Sequence, residues 1–306
     1  MVDLVFCGDR NIIWGMAVAA RSALDHCSET ANIYVVCQDF SDEDKEKLRK
    51  SFQHENLGTV TFKDLSASSV SNFRSTAYLK SKACYARYFI ADFFPALKRC
   101  VYLDTDLIVL RDLAEVMKID LGTNAVAAVV DIAARAETPD YSIGNRLGLK
   151  EPGKYFNSGF MVIDLEYWRA NDITSKIVDL SVQKSDILHS QDQDALNIIF
   201  EDLTLFLDIP WNISQYEKPF PIEGNIVHLL GTIKPWHARY ARNFSEAYYK
   251  DVIHDTFFEI LDQTEYAGER PWDTLGIGKL TEELSARMPT MDMVTGKVRR
   301  VFKSAF

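Results

Sequence analysis

Two short apolar runs, Leu4 to Cys7 and Ile33 to Cys37, flank a stretch from Trp14 to His26 whose apolar residues recur at helical spacing. Strand, crossover helix and strand of these lengths make a βαβ unit, and in one sheet its two strands must run parallel. Ser41 then opens the charged stretch SDEDKEKLRKSF with the Ser-x-x-Asp signature of a capped helix, and Thr59 to Phe62 returns to strand. The aromatic-rich stretch from Tyr78 to Asp92 predicts a long, well-buried helix that ends near Pro95. Cys100 to Leu103, the most apolar segment, has the composition of a central parallel strand and runs straight into Asp104. Further strands are expected at Ala125 to Val130 and Phe160 to Ile163, with helices at Ile173 to Gln183 and Asp194 to Phe200. Beyond Pro235 no long β-prone run follows. The chain therefore reads as α/β, with one nucleotide-binding-type domain over residues 1–240 and a smaller helical region over residues 241–306.

Composition narrows the partners. The 306 residues are 47% hydrophobic and 25% charged, which excludes disordered and fibrous classes. A formal charge of -10 lacks the basic footprint of a nucleic-acid binder. Five cysteines, Cys7, Cys27, Cys37, Cys84 and Cys100, show no CxxC pairing and sit mostly in apolar runs, which reads as buried thiols of a reducing, cytoplasmic compartment. The N-terminus has no secretory pattern, and no stretch is apolar over the ~20 residues a bilayer span needs. The last ten residues, Lys297 to Phe306, alternate basic and apolar groups with no acid. They read either as an exposed helix or oligomer contact, or as a peripheral anchor to anionic lipid on the inner face of the membrane.

The sharpest chemical feature is Asp104-Thr105-Asp106 at the end of that apolar strand. Ligands of open α/β sheets bind outside the carboxyl ends of the strands. Two carboxylates one residue apart there can share a hard divalent cation, which in turn neutralises a diphosphate. A solvated acidic loop is the bland alternative, disfavoured by the hydrophobic strand leading into it. A phosphohydrolase of the haloacid dehalogenase type, with the first Asp as nucleophile, is the rival chemistry. Ile108 and the position of the motif along the chain depart from that family's pattern. Far downstream, the segment His228 to His237 supplies an imidazole for the metal, a glycine that admits an anion to the backbone, and Lys234 to pair with phosphate.

Taken in order, Asp104-Thr105-Asp106, Tyr155-Phe156-Asn157-Ser158-Gly159, Gln191 to Asn197 and His228 to Trp236 resemble the retaining glycosyltransferases of family 8. That group includes bacterial lipopolysaccharide galactosyl- and glucosyltransferases and glycogenin. The resemblance runs from about residue 3 to residue 240. It implies a single Rossmann-like nucleotide-sugar-binding domain of the glycosyltransferase A type with a mixed, mainly parallel sheet. It implies Mn²⁺, with Mg²⁺ as the alternative, on Asp104, Asp106 and His228, bridging the diphosphate of UDP-galactose or UDP-glucose. Cys7, Asp9 and Asn11 match the loop that holds uracil and ribose. Gly231 and Lys234 match diphosphate contacts, and Arg87 matches an arginine that reaches the donor. Thr105, between the two metal carboxylates, is counted with the donor site, and Asp131, Asn157, Ser158, Asp192 and Gln193 match groups around the transferred sugar. Where related enzymes often carry a tyrosine to stack on the base, this chain has Ile12 and Ile13 before Trp14, so either the isoleucines or Trp14 face the uracil.

Each of these residues has a plainer reading. Asp9 can shape a turn, Arg87 can be a helix-surface cation, Asn157 can end a strand, and Gln191 to Asp194 can be a cap with an acidic first turn. Asp194 is expected to be structural. The implied reaction moves a hexose to a hydroxyl of a glycan, lipid-linked saccharide or lipopolysaccharide-type acceptor with retention. Asp192 and Gln193 sit at its centre. Gln193 is a poor nucleophile, which favours same-face attack over double displacement through Asp192 or Asp131. Self-glycosylation and a non-catalytic sugar-nucleotide-binding role are the remaining alternatives.

Overall fold

The computed structural model describes residues 1–74, 81–136, 143–217, 222–231, 234–237 and 250–271. Strands are numbered along the chain: β1 (Val2–Asp9), β2 (Ala31–Gln38), β3 (Leu57–Asp64), β4 (Arg99–Leu103), β5 (Leu107–Val109), β6 (Val126–Val130), β7 (Phe156–Asp164), β8 (Thr204–Leu207), β9 (Ile213–Ser214) and β10 (Ile226–His228). Seven of them form one sheet in the order β3-β2-β1-β4-β7-β6-β8. All its pairings are parallel except those of β7, which runs against both β4 and β6. That reversal matters for the site. Leu103 pairs with Phe160 and Val130 with Phe156, so β7 begins where β1, β4 and β6 end.

The βαβ unit forms as the periodicity predicts, with helix α1 at Ile13–His26. Its run of Gly15, Ala17, Ala19, Ala20 and Ala23 lets it lie close to its neighbours. A Cβ at Gly15 would sit 2.4 Å from the Thr105 carbonyl oxygen and 2.7 Å from the Trp236 ring, so glycine is what admits both. Helix α2 (Asp42–Ser51) carries the complete capping box, with Ser41 and Asp44 each bonding the other's backbone. Strand alternation divides the core. Leu4, Phe6, Val101 and Leu103 face a layer containing α1, whereas Val5, Cys7, Cys100 and Tyr102 face the other layer, with Tyr88, Trp168 and Phe200. Each such fully buried Leu or Phe contributes about 1.5–3 kcal/mol. The helix Lys250–Leu261, in the region expected to be helical, places Ile253, Phe257 and Leu261 in the α1 layer.

Three expectations are corrected. Residues 75–80 lie outside the described residues, and the remainder of the anticipated long helix is a 3-10 segment, Ala83–Phe89, followed by one α turn, Ile90–Phe93. Over seven residues a repeat of 3.0 and one of 3.6 bury nearly the same positions, so hydrophobic spacing does not separate them. Asn157, Ser158 and Gly159 belong to β7 rather than to a loop, opposite a register shift between Ala128 and Val129. The helix expected from Asp194 starts at Gln191, which puts Asp192 and Gln193 in its first turn. A second sheet, in the order β5-β10-β9, was not anticipated; its strands are only two or three residues long. It pairs His228 with Leu107, next to Asp106.

Candidate active site

A cleft of about 590 Å³ opens at the carboxyl ends of β1 and β4 and the start of β7. Cys7, Asp9, Asn11, Arg87, Asp104, Thr105, Asp106, Asn157, Ser158, Asp192, Gln193, His228, Gly231 and Lys234 all line it. Residues more than 200 positions apart in sequence thus converge on one cavity, as the sheet topology requires.

On one side Asp104, Asp106 and His228 each present a ligating atom within 4.8 Å of the others. His228 Nε2 is 3.3 Å from Asp106 Oδ1. Two cis ligands of a roughly octahedral divalent ion lie about 3 Å apart, so this spacing suits a shared cation. Gly159 makes the room: a Cβ there would fall 2.2 Å from His228 Cε1 and 2.9 Å from Asp104 Oδ2. Asp104 Oδ1 accepts from Arg87 Nη2 at 2.8 Å and from the Tyr102 hydroxyl at 2.6 Å. Lys234 Nζ lies 2.5 Å from Asp106 Oδ2. Burial by itself would raise the Asp106 carboxyl, but Lys234, and after it His228, outweigh burial and hold it well below the usual carboxylate range. Gly231 has φ +93, a left-handed conformation that glycine adopts without strain, and its backbone stays open to the cleft.

On the other side Arg87 is 5% exposed and charged, held between Asp104 and Asp192. Asp192 Oδ2 is 3.0 Å from Arg87 Nη1, yet Nη1 directs its hydrogens to the Ser158 carbonyl at 3.1 Å and the Ser158 hydroxyl at 2.8 Å. Asp192 Oδ2 is therefore buried with a neighbouring charge but without a hydrogen bond. Burial is the largest influence on it, Arg87 opposes, Asp104 adds to burial, and the carboxyl is pushed up to about 6. Gln193 accepts from the Ser158 backbone N–H at 3.0 Å and donates to the Tyr155 hydroxyl at 3.0 Å and to Asp131 at 3.3 Å. Asp194 is wholly buried against Arg146 and Tyr155, a structural role as expected.

The structure also departs from the sequence reading at particular residues. Asp131 does not line the cleft: its Oδ1 caps Ala133 N–H, and its Oδ2 accepts from Asn157 and Gln193. Trp14 packs against the core, and Ile12, whose side chain fills the space above Gly8, is the member of that trio on the cleft. Asp9 does shape a turn, accepting from Asn11 N–H at 2.8 Å, but its second oxygen accepts from Ser81, so it stays on the cleft wall. Cys84 is only partly buried. Burial pushes the Cys7 and Cys84 thiols well up, which keeps both protonated beside the cleft. Ser81, His189, Trp236 and His237 also line it, beyond the residues that the sequence singles out. Only the position of Trp236 and His237 behind Lys234 gave any signal for them.

A family model described as "Glycosyl transferase family 8" matches residues 3–239. The chain belongs to that family. A "Probable glycosyl transferase Gly" of Streptococcus gordonii is 29% identical over 82% of this chain, which spans 33% of that longer relative. The lipopolysaccharide 1,3-galactosyltransferase of Salmonella typhimurium is 27% identical over 75% of this chain and 71% of its own length. Among solved structures, the galactosyltransferase LgtC in complex with donor and acceptor sugar analogs superposes with a TM-score of 0.75 at 22% identity, over 89% of this chain and 99% of that one. That likeness establishes the fold of the family 8 chain as glycosyltransferase A type. No helix among the described residues is long and apolar enough to cross a membrane.

Proposed function

We propose that this chain transfers galactose or glucose from a UDP-sugar to a hydroxyl of a glycan or lipopolysaccharide-type acceptor, with retention at the anomeric carbon. The observation that carries the reading is the convergence of Asp104, Asp106, His228 and Lys234 with Arg87, Asp192 and Gln193 in one cleft. Family membership sets the reaction class, and the Salmonella relative supports the sugar and acceptor classes.

Asp104, Asp106 and His228 would hold Mn²⁺ or Mg²⁺, which when bound supplies positive charge to a diphosphate. Lys234 and Gly231 line the same cleft, where the ammonium would pair with the leaving diphosphate and the glycine backbone would admit it. Asp9 and Asn11, on the cleft wall at the end of β1, would hold the nucleoside, with Ile12 as the apolar face for its base. Asp192 Oδ2, buried and lacking a hydrogen bond, suits a sugar hydroxyl. Gln193 is neutral and held on both sides of its amide, so it supports positive charge developing at the anomeric carbon instead of attacking it. The acceptor proton then passes to the departing phosphate oxygen, in a same-face displacement.

We further propose a cytoplasmic location with peripheral contact to anionic lipid through Lys297 to Phe306, which lie outside the described residues. Residues 1–240 would form the transferase unit and 241–306 the helical region bearing this tail. A chain ending at Thr295 should lose binding to anionic liposomes, and undiminished binding would refute the anchor. For the reaction, UDP release is measured across a panel of UDP-sugars in Mn²⁺, with and without acceptor glycans. Release from UDP-galactose or UDP-glucose, stimulated by an acceptor and abolished by EDTA, is expected; turnover of phosphomonoesters instead would overturn it.

A further inference from the structure

We infer that Asn212 is a positioning residue for the metal centre, one of the two inner members of a buried hydrogen-bond relay that starts at Asp131 and fixes which nitrogen of His228 faces the cation. The inference rests on the metal reading of Asp104, Asp106 and His228 given above. Asn212 follows the short turn Ile209–Trp211 and is 5% exposed; Asn157, Asp131 and His228 are 8%, 7% and 4% exposed. These polar groups are almost withdrawn from solvent, so their orientations are set by one another.

The direction of the relay follows from its end. Both Asp131 oxygens accept, Oδ1 from Ala133 N–H and Oδ2 from the amides that face it. Asn157 must therefore turn its Nδ2 toward Asp131 Oδ2, at 2.8 Å. Its Oδ1 then points the opposite way, where it accepts from Gly159 N–H at 3.0 Å and from Asn212 Nδ2 at 2.9 Å. Asn212 is thereby left presenting Oδ1 to His228 Nδ1, 3.0 Å away. The proton of a neutral His228 sits on Nδ1, and the lone pair of Nε2 points at Asp106 Oδ1. A lone pair facing a carboxylate oxygen at 3.3 Å is repulsive unless a proton or a cation lies between them. Asn212 in this way keeps His228 in the tautomer that binds a metal, as a carboxylate does for metal-bound histidines elsewhere, with two amides spanning the gap to the carboxylate. The same Asp131 oxygen also accepts from Gln193 Nε2, so the cation side and the sugar side of the cleft hang from one buried carboxyl group.

The test uses the full chain and two readouts that need no turnover. The first is the ¹⁵N spectrum of His228 at alkaline pH, where the imidazole is neutral. The second is binding of Mn²⁺ alone, followed by electron paramagnetic resonance. The wild-type chain should show the Nδ1–H tautomer. Asn212→Leu should give a mixture of tautomers and weaken Mn²⁺ by about 10-fold or more, the usual effect of removing such a partner. Asn212→Asp, which keeps an acceptor toward Nδ1, should restore the tautomer and the affinity, a rescue that simple packing at this position does not provide. Asp131→Asn, which frees Asn157 to turn over, should change the His228 spectrum although Asp131 does not touch the ring. An Nε2–H tautomer in the wild type, or an unchanged spectrum and Mn²⁺ affinity in Asn212→Leu, would overturn the relay. If the wild type binds no Mn²⁺, the metal reading falls, while the tautomers still decide the relay.

Discussion

Asp106 and Asp192 lie on the same cleft, each within 3.0 Å of a cationic side chain, yet they are driven in opposite directions. Asp106 has Lys234 and the His228 imidazole to itself, and its carboxyl is held well below the ordinary range. Asp192 shares Arg87 with Asp104, and the nearest guanidinium hydrogens go to Ser158, so burial wins and the carboxyl rises to about 6. Proximity of one cation does not by itself set the charge of a buried carboxylate; the balance of burial against every neighbouring charge and hydrogen bond does. Asp106 is thus held as a carboxylate, whereas the sugar side holds a carboxyl that titrates at about 6.

The severest way to break that contrast is to neutralise the anionic side. Asp106→Asn and Asp104→Asn should each lower turnover by about 1000-fold with the fold retained by circular dichroism, because the transition-state charge loses its counterion. Full activity of the wild type in EDTA would remove the cation from the scheme. On the sugar side, Gln193→Ala should cut kcat by about 100-fold and leave the UDP dissociation constant within about 2-fold, as for a group that acts only in the transition state. Equal losses in kcat and UDP affinity would make Gln193 structural. Lys234→Ala separates the two duties of that lysine. UDP should bind about 10-fold more weakly, while Mn²⁺ alone should bind more tightly, since Lys234 competes for Asp106 Oδ2. Calorimetry reads both signs, and weaker Mn²⁺ binding would contradict the competition.

The smallest effect concerns pH. Because the folded Asp192 carboxyl titrates near 6 against an ordinary 3.8, the folded chain retains a proton that the unfolded chain releases. Its contribution to stability is therefore fully present below about pH 4 and is lost as pH rises through about 6, by up to about 3 kcal/mol. Urea denaturation of wild type and Asp192→Asn across that interval should show the wild type losing ground as pH rises. A constant difference would return Asp192 to the ordinary carboxylates and erase the contrast with Asp106.

Much of the fold was legible because its signals are local. The βαβ start, the Ser41 capping box, helix Ile173–Gln183 and the strand running into Asp104 follow from periodicity and capping alone. Strands β5, β9 and β10 were invisible, since two or three residues carry no period, and they are held by pairing with distant chain. The 3-10 turn that carries Arg87 escaped for a related reason, its burial pattern being compatible with a full helix. In the site, Asp104, Asp106, Gln193, His228 and Lys234 stood in recognisable motifs. Asn212 belongs to no motif and has no chemistry of its own; only its neighbours give it a role.

The amino-acid sequence by itself determined the family, the class of fold and the inventory of charged groups, because local pattern and residue chemistry are properties of a linear chain. Tertiary structure decided the rest. It reversed β7 so that Gly159 leaves room for His228 and Asp104, withdrew Asp131 from the cleft to an anchoring position, and gave Asp106 the Lys234 ammonium while Asp192 shares Arg87 with Asp104. Protonation, tautomer and side-chain orientation depend on distances of 3 to 4 Å between residues dozens to more than a hundred positions apart, and only packing fixes such distances.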